Sequence, residues 1–274
     1  MARRLTICGT AAAEAIPAIH CVCDTCRRAW DLGGKDLRTR AAYQLGQDVR
    51  VDFGPDSHFH MRAMGQDYAY LQHLLITHSH QDHWLPEELA YRRPGFCVLP
   101  EGFPPLTIYG NDRVLESARQ RLGNLEAMRI ELYEIHSFQE VQVCPDLRLT
   151  TLKAEHGGEE DALNFLIEEP DRSLLVANDT GFWQEETWEF IAGRRVDVAL
   201  IDGTCGRYDQ NGGHMGAPWV AKFAARLGEL GCLSDSPRLI VTHFSHNGHA
   251  NHDQLVEIYT AYGIEVAYDG LVVG

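Results

Sequence analysis

Apolar residues in this chain recur as short runs rather than long ones. Continuous runs at Leu74-Leu75-Ile76-Thr77, Leu174-Leu175-Val176-Ala177, Val198-Ala199-Leu200-Ile201 and Leu239-Ile240-Val241-Thr242 leave no polar face, which predicts inner strands of a covered sheet. Leu147, Leu149 and Thr151 alternate with Arg148 and Thr150, the period of a half-exposed strand. Further strands are predicted at Leu5–Cys8, Val49–Phe53, Leu106–Tyr109, Phe165–Ile167 and Ile264–Ala267. This mixture predicts two packed sheets. Helical spacing falls between them: a helix start at Pro86 to Tyr91, a helix from a cap at Asp112 through Met128, and helices at Trp183 to Ile191 and Pro218 to Leu230. A last helix puts Leu255, Tyr259 and Tyr262 on one face and ends at Gly263. No Pro/Gly/Ser-rich linker interrupts the pattern, so residues 1–274 are expected to form one α/β domain with helices covering stacked sheets.

Charge narrows the partners. Lys and Arg number 24 against 39 Asp and Glu, a net charge of −15 in 274 residues. Such a balance repels a phosphate backbone at long range and disfavours a large nucleic-acid partner, although metals can still hold a small phosphate ester. The first residues, Met1-Ala2-Arg3-Arg4-Leu5-Thr6-Ile7-Cys8-Gly9, are too short in apolar length for a signal segment, and no run approaches the roughly 20 residues of a membrane span. A cytoplasmic protein is expected. Eight cysteines in that setting point to reduced thiols or metal ligands rather than a disulfide framework.

The chemistry concentrates in Thr77-His78-Ser79-His80-Gln81-Asp82-His83, just after a buried-looking strand. Alternate residues at a strand end project to one side, so His78 and His80 share a target, and the following turn brings Asp82 and His83 round to a second. Imidazole and carboxylate ligands suit Zn, Mn or Fe in sites that keep a position open for water. His156, Asp179 and His243 each follow a strand-like run, the place where open α/β folds put their chemistry. Cys21-Val22-Cys23-Asp24-Thr25-Cys26 offers three thiolates to a tetrahedral zinc that needs a fourth ligand, with His20 a weaker candidate for that place. Arg38 and Arg40 read as a solvated charge pair rather than as phosphate contacts.

The HxHxDH motif at His78, His80, Asp82 and His83, followed in order by His156, Asp179 and His243, resembles the metallo-β-lactamase superfamily. Asp52 resembles the acidic residue on an early strand that supports the metal loop. The CxCxxC segment, the Thr242-His243-Phe244-Ser245-His246 segment and the closing Tyr268-Asp269-Gly270 are similar to the phosphoribosyl cyclic phosphodiesterase branch found in phosphonate breakdown. That resemblance implies an αβ/βα four-layer sandwich of two mixed sheets, with a dinuclear site between sheet edges. It implies that His78, His80 and His156 hold one ion, that Asp82, His83 and His243 hold the second, and that Asp179 bridges them. Asp82 thereby counts as catalytic as well as ligating. Cys21, Cys23, Cys26 and His246 would hold a structural zinc within residues 20–27 and the later loop. His214 stands where the branch places a residue that contacts phosphate or protonates the leaving group. The chain departs from the branch at Ala11-Ala12-Ala13-Glu14-Ala15-Ile16-Pro17, where a glycine-rich segment is usual.

Two ions about 3.5 to 4 Å apart would lower the pKa of a bridging water and clamp a phosphoryl oxygen. The expected activity is metal-dependent hydrolysis of a small phosphodiester, with a cyclic phosphate of ribose or a nucleotide implied by resemblance, and with Zn or Mn as the active metals. Resemblance also admits a homodimer. The competing readings are a hydrolase of another ester, a relative of the redox-cofactor (pyrroloquinoline quinone) pathway member, and a metal or ligand binder without turnover. A lactamase or glyoxalase-type thioesterase leaves the cysteine cluster unexplained, and a tRNA-processing nuclease fits poorly with the acidic balance.

Overall fold

A computed structural model describes residues 2–274. The elements run β1 (Leu5–Gly9), α1 (Asp24–Leu32), β2 (Ala42–Leu45), β3 (Val49–Val51), α2 (Ser57–Met64), β4 (His73–Leu75), β5 (Leu106–Gly110), α3 (Asp112–Leu122), β6 (Ile130–Glu134) and β7 (Glu140–Cys144). They continue β8 (Leu147–Lys153), β9 (Leu163–Glu168), β10 (Ser173–Ala177), α4 (Glu185–Ile191), β11 (Val196–Asp202), α5 (Ala217–Glu229), β12 (Leu233–Thr242), α6 (His252–Thr260), β13 (Glu265–Val266) and β14 (Leu271–Val273). No helix of the described residues is long and apolar enough to cross a membrane.

The strands form two seven-stranded sheets, ordered β14-β1-β2-β3-β4-β5-β6 and β13-β12-β11-β10-β9-β8-β7. Both are mixed, and both change direction in the same way. In the first, pairing is antiparallel from β14 to β3 and parallel from β3 to β6. The second is antiparallel from β7 to β10 and parallel from β10 to β13. Side chains alternate between two cores. Leu174, Val176, Val198 and Leu200 meet Leu5, Ile7, Val51 and Leu75 between the sheets. Leu175, Ala199, Ile201 and Val241 face outward onto Trp188, Phe223 and Tyr259 of α4, α5 and α6. On the other side Leu74, Ile76 and Ile108 pack beneath Val114, Leu115 and Ala118 of α3. The layers are helices, sheet, sheet and helices, the α/β sandwich that the sequence pattern and the resemblance call for. Burial of both faces explains why β10 and β11 read as unbroken apolar runs.

Some boundaries differ from expectation. The predicted helix from Asp112 through Met128 stops at Leu122, and its cap is Asn111, whose side chain accepts from the Val114 N–H at 3.0 Å. Gly123 leaves the helix at φ 74°, while Leu122 and Met128 still reach the same outer core and so mimic a helical repeat. Residues Pro86–Arg92 form a 3-10 helix rather than the start of an α-helix. Tyr262 lies beyond α6 and is exposed. β2, β6, β7, β14, α1 and α2 lie outside the elements that the sequence pattern predicts. Arg38 is not solvated: its guanidinium is buried, donates to Thr10 Oγ1 and the Ala267 carbonyl, and lies over the Phe244 ring. Arg40 is paired with Asp56.

Candidate metal centre

The ligand-type residues emerge where strands end. The His78–His83 loop follows β4, Asp52 follows β3, Asp179 follows β10, Asp202 closes β11 and His243 follows β12. His156 enters from the loop after β8. Three of these residues hold left-handed backbone conformations, Asp52 at φ 62°, Asp179 at 55° and His243 at 61°. Such a conformation is unfavourable for a residue with a Cβ, costing on the order of 1–3 kcal/mol, and persists where the surroundings fix it. Here it turns each side chain off its strand towards the common centre.

Two ligand sets result. Donor atoms of His78, His80 and His156 lie within 4.8 Å of one another, as do those of Asp82, His83, Asp179 and His243. The sets share an edge at Asp179, whose Oδ2 is 2.7 Å from His83 Nε2 and 3.4 Å from both His78 Nε2 and His243 Nε2. Its Oδ1 lies 3.4 Å from His156 Nε2 and from His214 Nδ1. His80 is exposed at the rim, whereas His78, His83, Asp179 and His243 are buried.

Supporting residues fix these rings from behind. Asp52 Oδ2 contacts His83 Nδ1 at 2.7 Å, and its Oδ1 accepts from the Thr77 N–H at 2.9 Å. Thr77 Oγ1 lies 3.0 Å from His78 Nδ1. On the second sheet Asp202 plays the equivalent part. It accepts from the N–H groups of Thr204 and Met215, its Oδ2 contacts His214 Nδ1 at 3.1 Å, and Thr204 Oγ1 lies 2.8 Å from His243 Nδ1. With Nδ1 engaged from outside, the Nε2 atoms of His78, His83 and His243 are the ones turned inward, the usual arrangement for a metal-binding imidazole. Glu160 ties the loop down by accepting from the Ser79 N–H and from Asn111 Nδ2, both at 2.8 Å.

The electrostatics call for cations. Asp52, Asp82, Asp179 and Asp202 are all buried, and among the described residues none is ion-paired to Lys or Arg; their charged neighbours are histidines. Buried carboxylates balanced only by histidines are costly; against the effect of burial, Asp82, Asp52 and Asp179 raise His83 well above the usual imidazole range. Burial pushes the Asp179 and Asp82 carboxyls up, but His243 and His83 for the first, and His83 for the second, outweigh it and hold both well below the usual carboxylate range. His83 Nε2, His243 Nε2 and Asp179 Oδ1 are buried without a hydrogen-bond partner. Unsatisfied ligand atoms converging beside surplus negative charge fit a divalent metal ion in the set of Asp82, His83, Asp179 and His243; in the other set the three imidazoles face one another, with His80 Nδ1 2.9 Å from His78 Nε2 and 3.2 Å from His156 Nε2. For His214, burial works against the proton, yet the Asp202 carboxylate beside it prevails and raises the ring to about 9.

A second cluster joins the start of α1 to the loop after β12. Cys21, Cys23, Cys26 and His246 place their donor atoms within 4.8 Å of one another, with His246 Nδ1 3.5 Å from Cys21 Sγ and 3.4 Å from Cys23 Sγ. Burial raises the Cys23 thiol, but hydrogen bonds from the Cys26 backbone, His246 and the neighbouring thiols bring it down to about 6. Cys26 is pushed up to about 12 by burial and by the thiols beside it, despite the Ala18 N–H. One thiolate stabilised by three polar neighbours suits a tetrahedral cation site. His20 is exposed and lies outside the group.

Of the candidate metal ligands singled out from sequence, these three sets gather every one except His20, while His214 joins Asp179, Asp202 and His243 in a further group and Asp52 stands behind His83. Asp202, Thr204 and Glu160 escaped notice. Asp202 carried a usable signal, since it ends the apolar run Val198–Ile201 as Asp179 ends its own. Nothing local marks Glu160, whose contacts are 81 and 49 residues away in the chain.

A family model described as the beta-lactamase superfamily domain matches residues 48–268. No curated protein matches the sequence. Among solved structures, a diphosphatase from the PhnP family superposes with a TM-score of 0.77 at 20% identity, covering 100% of this chain and 97% of that one. Zinc-bound PqqB from Methylobacterium extorquens gives 0.75 at 20% identity, with 99% of each chain covered. The short form of human tRNase Z gives 0.67 at 16%, covering 99% and 98%. At these identities the likeness is one of fold, and the matched family together with the two-sheet architecture places the chain in the metallo-β-lactamase superfamily, with a resemblance to its PhnP branch.

Proposed function

We propose that this chain is a metal-dependent phosphodiesterase acting on a small phosphodiester. The observation that carries the reading is the convergence of buried carboxylates, none of them paired to Lys or Arg, with His83 Nε2, His243 Nε2 and Asp179 Oδ1, which lack hydrogen-bond partners. His78, His80 and His156 would hold one divalent ion, Zn or Mn, and Asp82, His83 and His243 the other, with Asp179 shared between them. Ions in those places supply Lewis acidity towards a phosphoryl oxygen and lower the pKa of a bound water. Cys21, Cys23, Cys26 and His246 would hold a structural zinc.

The chain's own residues do the rest. Asp52 and Thr204 lock the ring orientations of His83 and His243, which keeps the ligand set preorganised. Asp202 keeps a proton on His214, and that ring sits beside Asp179, placed to donate to a departing alkoxide, which leaves poorly at neutral pH without a proton. Beside His156 a groove of about 390 Å³, lined by Lys153, Glu155, Gln184 and Gly213 among others, has room for a small polar substrate. A net charge of −15 favours such a substrate over a long nucleic acid. Ribose and nucleoside cyclic phosphates are the proposed class, in keeping with the branch that the motifs resemble.

The test is a substrate panel on Zn- or Mn-loaded protein, with ribose and nucleoside cyclic phosphates beside a β-lactam and a glutathione thioester. Phosphorus NMR should report ring opening of a cyclic phosphate to a monoester. Turnover confined to the lactam or the thioester contradicts the proposal.

A further inference from the structure

A cavity of about 320 Å³ lies away from the metal-ligand residues, on the helix-covered face of the first sheet. Its wall is built from Phe53, Tyr68, Leu71, Leu89 and Leu106, and Val98 stands at its mouth, 94% exposed. The volume and the apolar lining are those of a small-molecule site. Its polar equipment is sparse. Arg92 lines it, donating through Nε to the Met128 carbonyl at 3.3 Å, while its Nη2 is buried without any partner.

That unpartnered nitrogen stands out in an acidic chain. Nearby Arg121 reaches Glu87 at 2.9 Å, but among the described residues Arg92 has no carboxylate partner. Arg129 adds to the positive field around it. Glu88 and His58 also line the cavity, both exposed at its edge. An arginine at the wall of an apolar cavity with no carboxylate partner is complementary to one ligand chemistry, an apolar body carrying an anionic oxygen head.

We infer that this cavity binds a small amphiphilic carboxylate, with the acyl or aryl body against Phe53, Leu71 and Leu89 and the carboxylate on the Arg92 guanidinium. The site does not depend on the phosphodiesterase reading. It does touch the metal loop, because the Phe53 N–H donates to the His83 carbonyl at 2.7 Å and the Phe53 carbonyl accepts from the Leu85 N–H at 2.8 Å.

Decanoate and its neutral counterpart decanol, titrated calorimetrically below micellar concentrations into the metal-loaded full chain, separate the alternatives. Decanoate should bind saturably at one site per chain and about tenfold more tightly than decanol, the scale of one charge-assisted hydrogen bond. Arg92→Met should bring decanoate down to the affinity of decanol. Val98→Asp, at an exposed position that folding does not use, should weaken decanoate by about tenfold through like-charge repulsion and spare decanol, so the answer survives even if Arg92→Met fails to fold. Asp179→Ala should leave decanoate binding intact. Absence of saturable binding, equal affinity for the two probes, indifference to Val98→Asp, or loss of binding in Asp179→Ala would each overturn the inference.

Discussion

His214 shows how much of a residue's role depends on its neighbours. As a lone histidine after two glycines it carries little information, but the Asp202 carboxylate at 3.1 Å and Asp179 at 3.4 Å give it a charge, a direction and a place. If it delivers the proton to the leaving group, His214→Ala should slow hydrolysis of alkyl phosphodiesters by about 100-fold, the usual scale of general acid catalysis. A p-nitrophenyl ester, whose leaving group needs no proton, should be slowed far less. Equal loss on both substrates, or loss of bound metal, would remove His214 from that role. The cysteine cluster makes a separate prediction. In chelator-treated protein Cys23 should be alkylated by iodoacetamide with a rate that rises through about pH 6, because its thiolate is the stabilised form above that value, while Cys26, pushed up to about 12, stays silent. Mass mapping of the modified thiols checks the order, and preferential labelling of Cys26 would show that the hydrogen-bond pattern has been misread. Zinc bound at the cluster should protect both.

At the scale of the element, the metal loop depends on close approach. A Cβ on Gly54 would stand 1.9 Å from the Asp82 carbonyl oxygen, so this glycine lets the segment after β3 lie directly against the loop after β4. Gly54→Ala should therefore displace Asp82 and His83, costing about 1–3 kcal/mol of stability as overpacking does. Denaturant melts and metal analysis should show a lower midpoint and less bound metal. A variant with wild-type stability and metal content would mean that the loop is not held by this contact. Elements also show what the sequence could and could not yield. The continuous apolar runs of β10, β11 and β12 announce strands because both of their faces are buried, and the candidate residues after β10 and β12, Asp179 and His243, were legible for the same reason, whereas Asp202 at the end of β11 was not picked out. In contrast β2, β6 and β14 present mixed or very short patterns. Half-exposed Ile130–Glu134 has one buried apolar position among charges and aromatics, and its strand state comes from pairing with β5 rather than from its own periodicity. The expected helix runs past the observed end at Leu122 because Leu125 and Met128 continue a spacing that tertiary packing, not helix, exploits.

At the scale of the molecule, the two sheets repeat one plan, antiparallel strands giving way to parallel ones, and each lends an acidic support residue from a parallel strand: Asp52 beside His83, Asp202 beside His214. That duplication is invisible as a sequence repeat because only strand direction and burial are shared. The centre sits where the two plans meet, and the segment Thr242 to His246 reaches both the candidate centre, through His243, and the cysteine cluster, through His246. The central claim is that this junction hydrolyses phosphodiesters through ions held on Asp179. The most direct measurement is release of nitrophenol from bis(p-nitrophenyl) phosphate by metal-loaded protein, by the chelator-stripped protein, and by Asp179→Ala. Turnover by the loaded protein, abolished in the other two and restored to the stripped protein by Zn or Mn, is the predicted result. Equal turnover by Asp179→Ala, or none from protein shown to carry its metals, would contradict it.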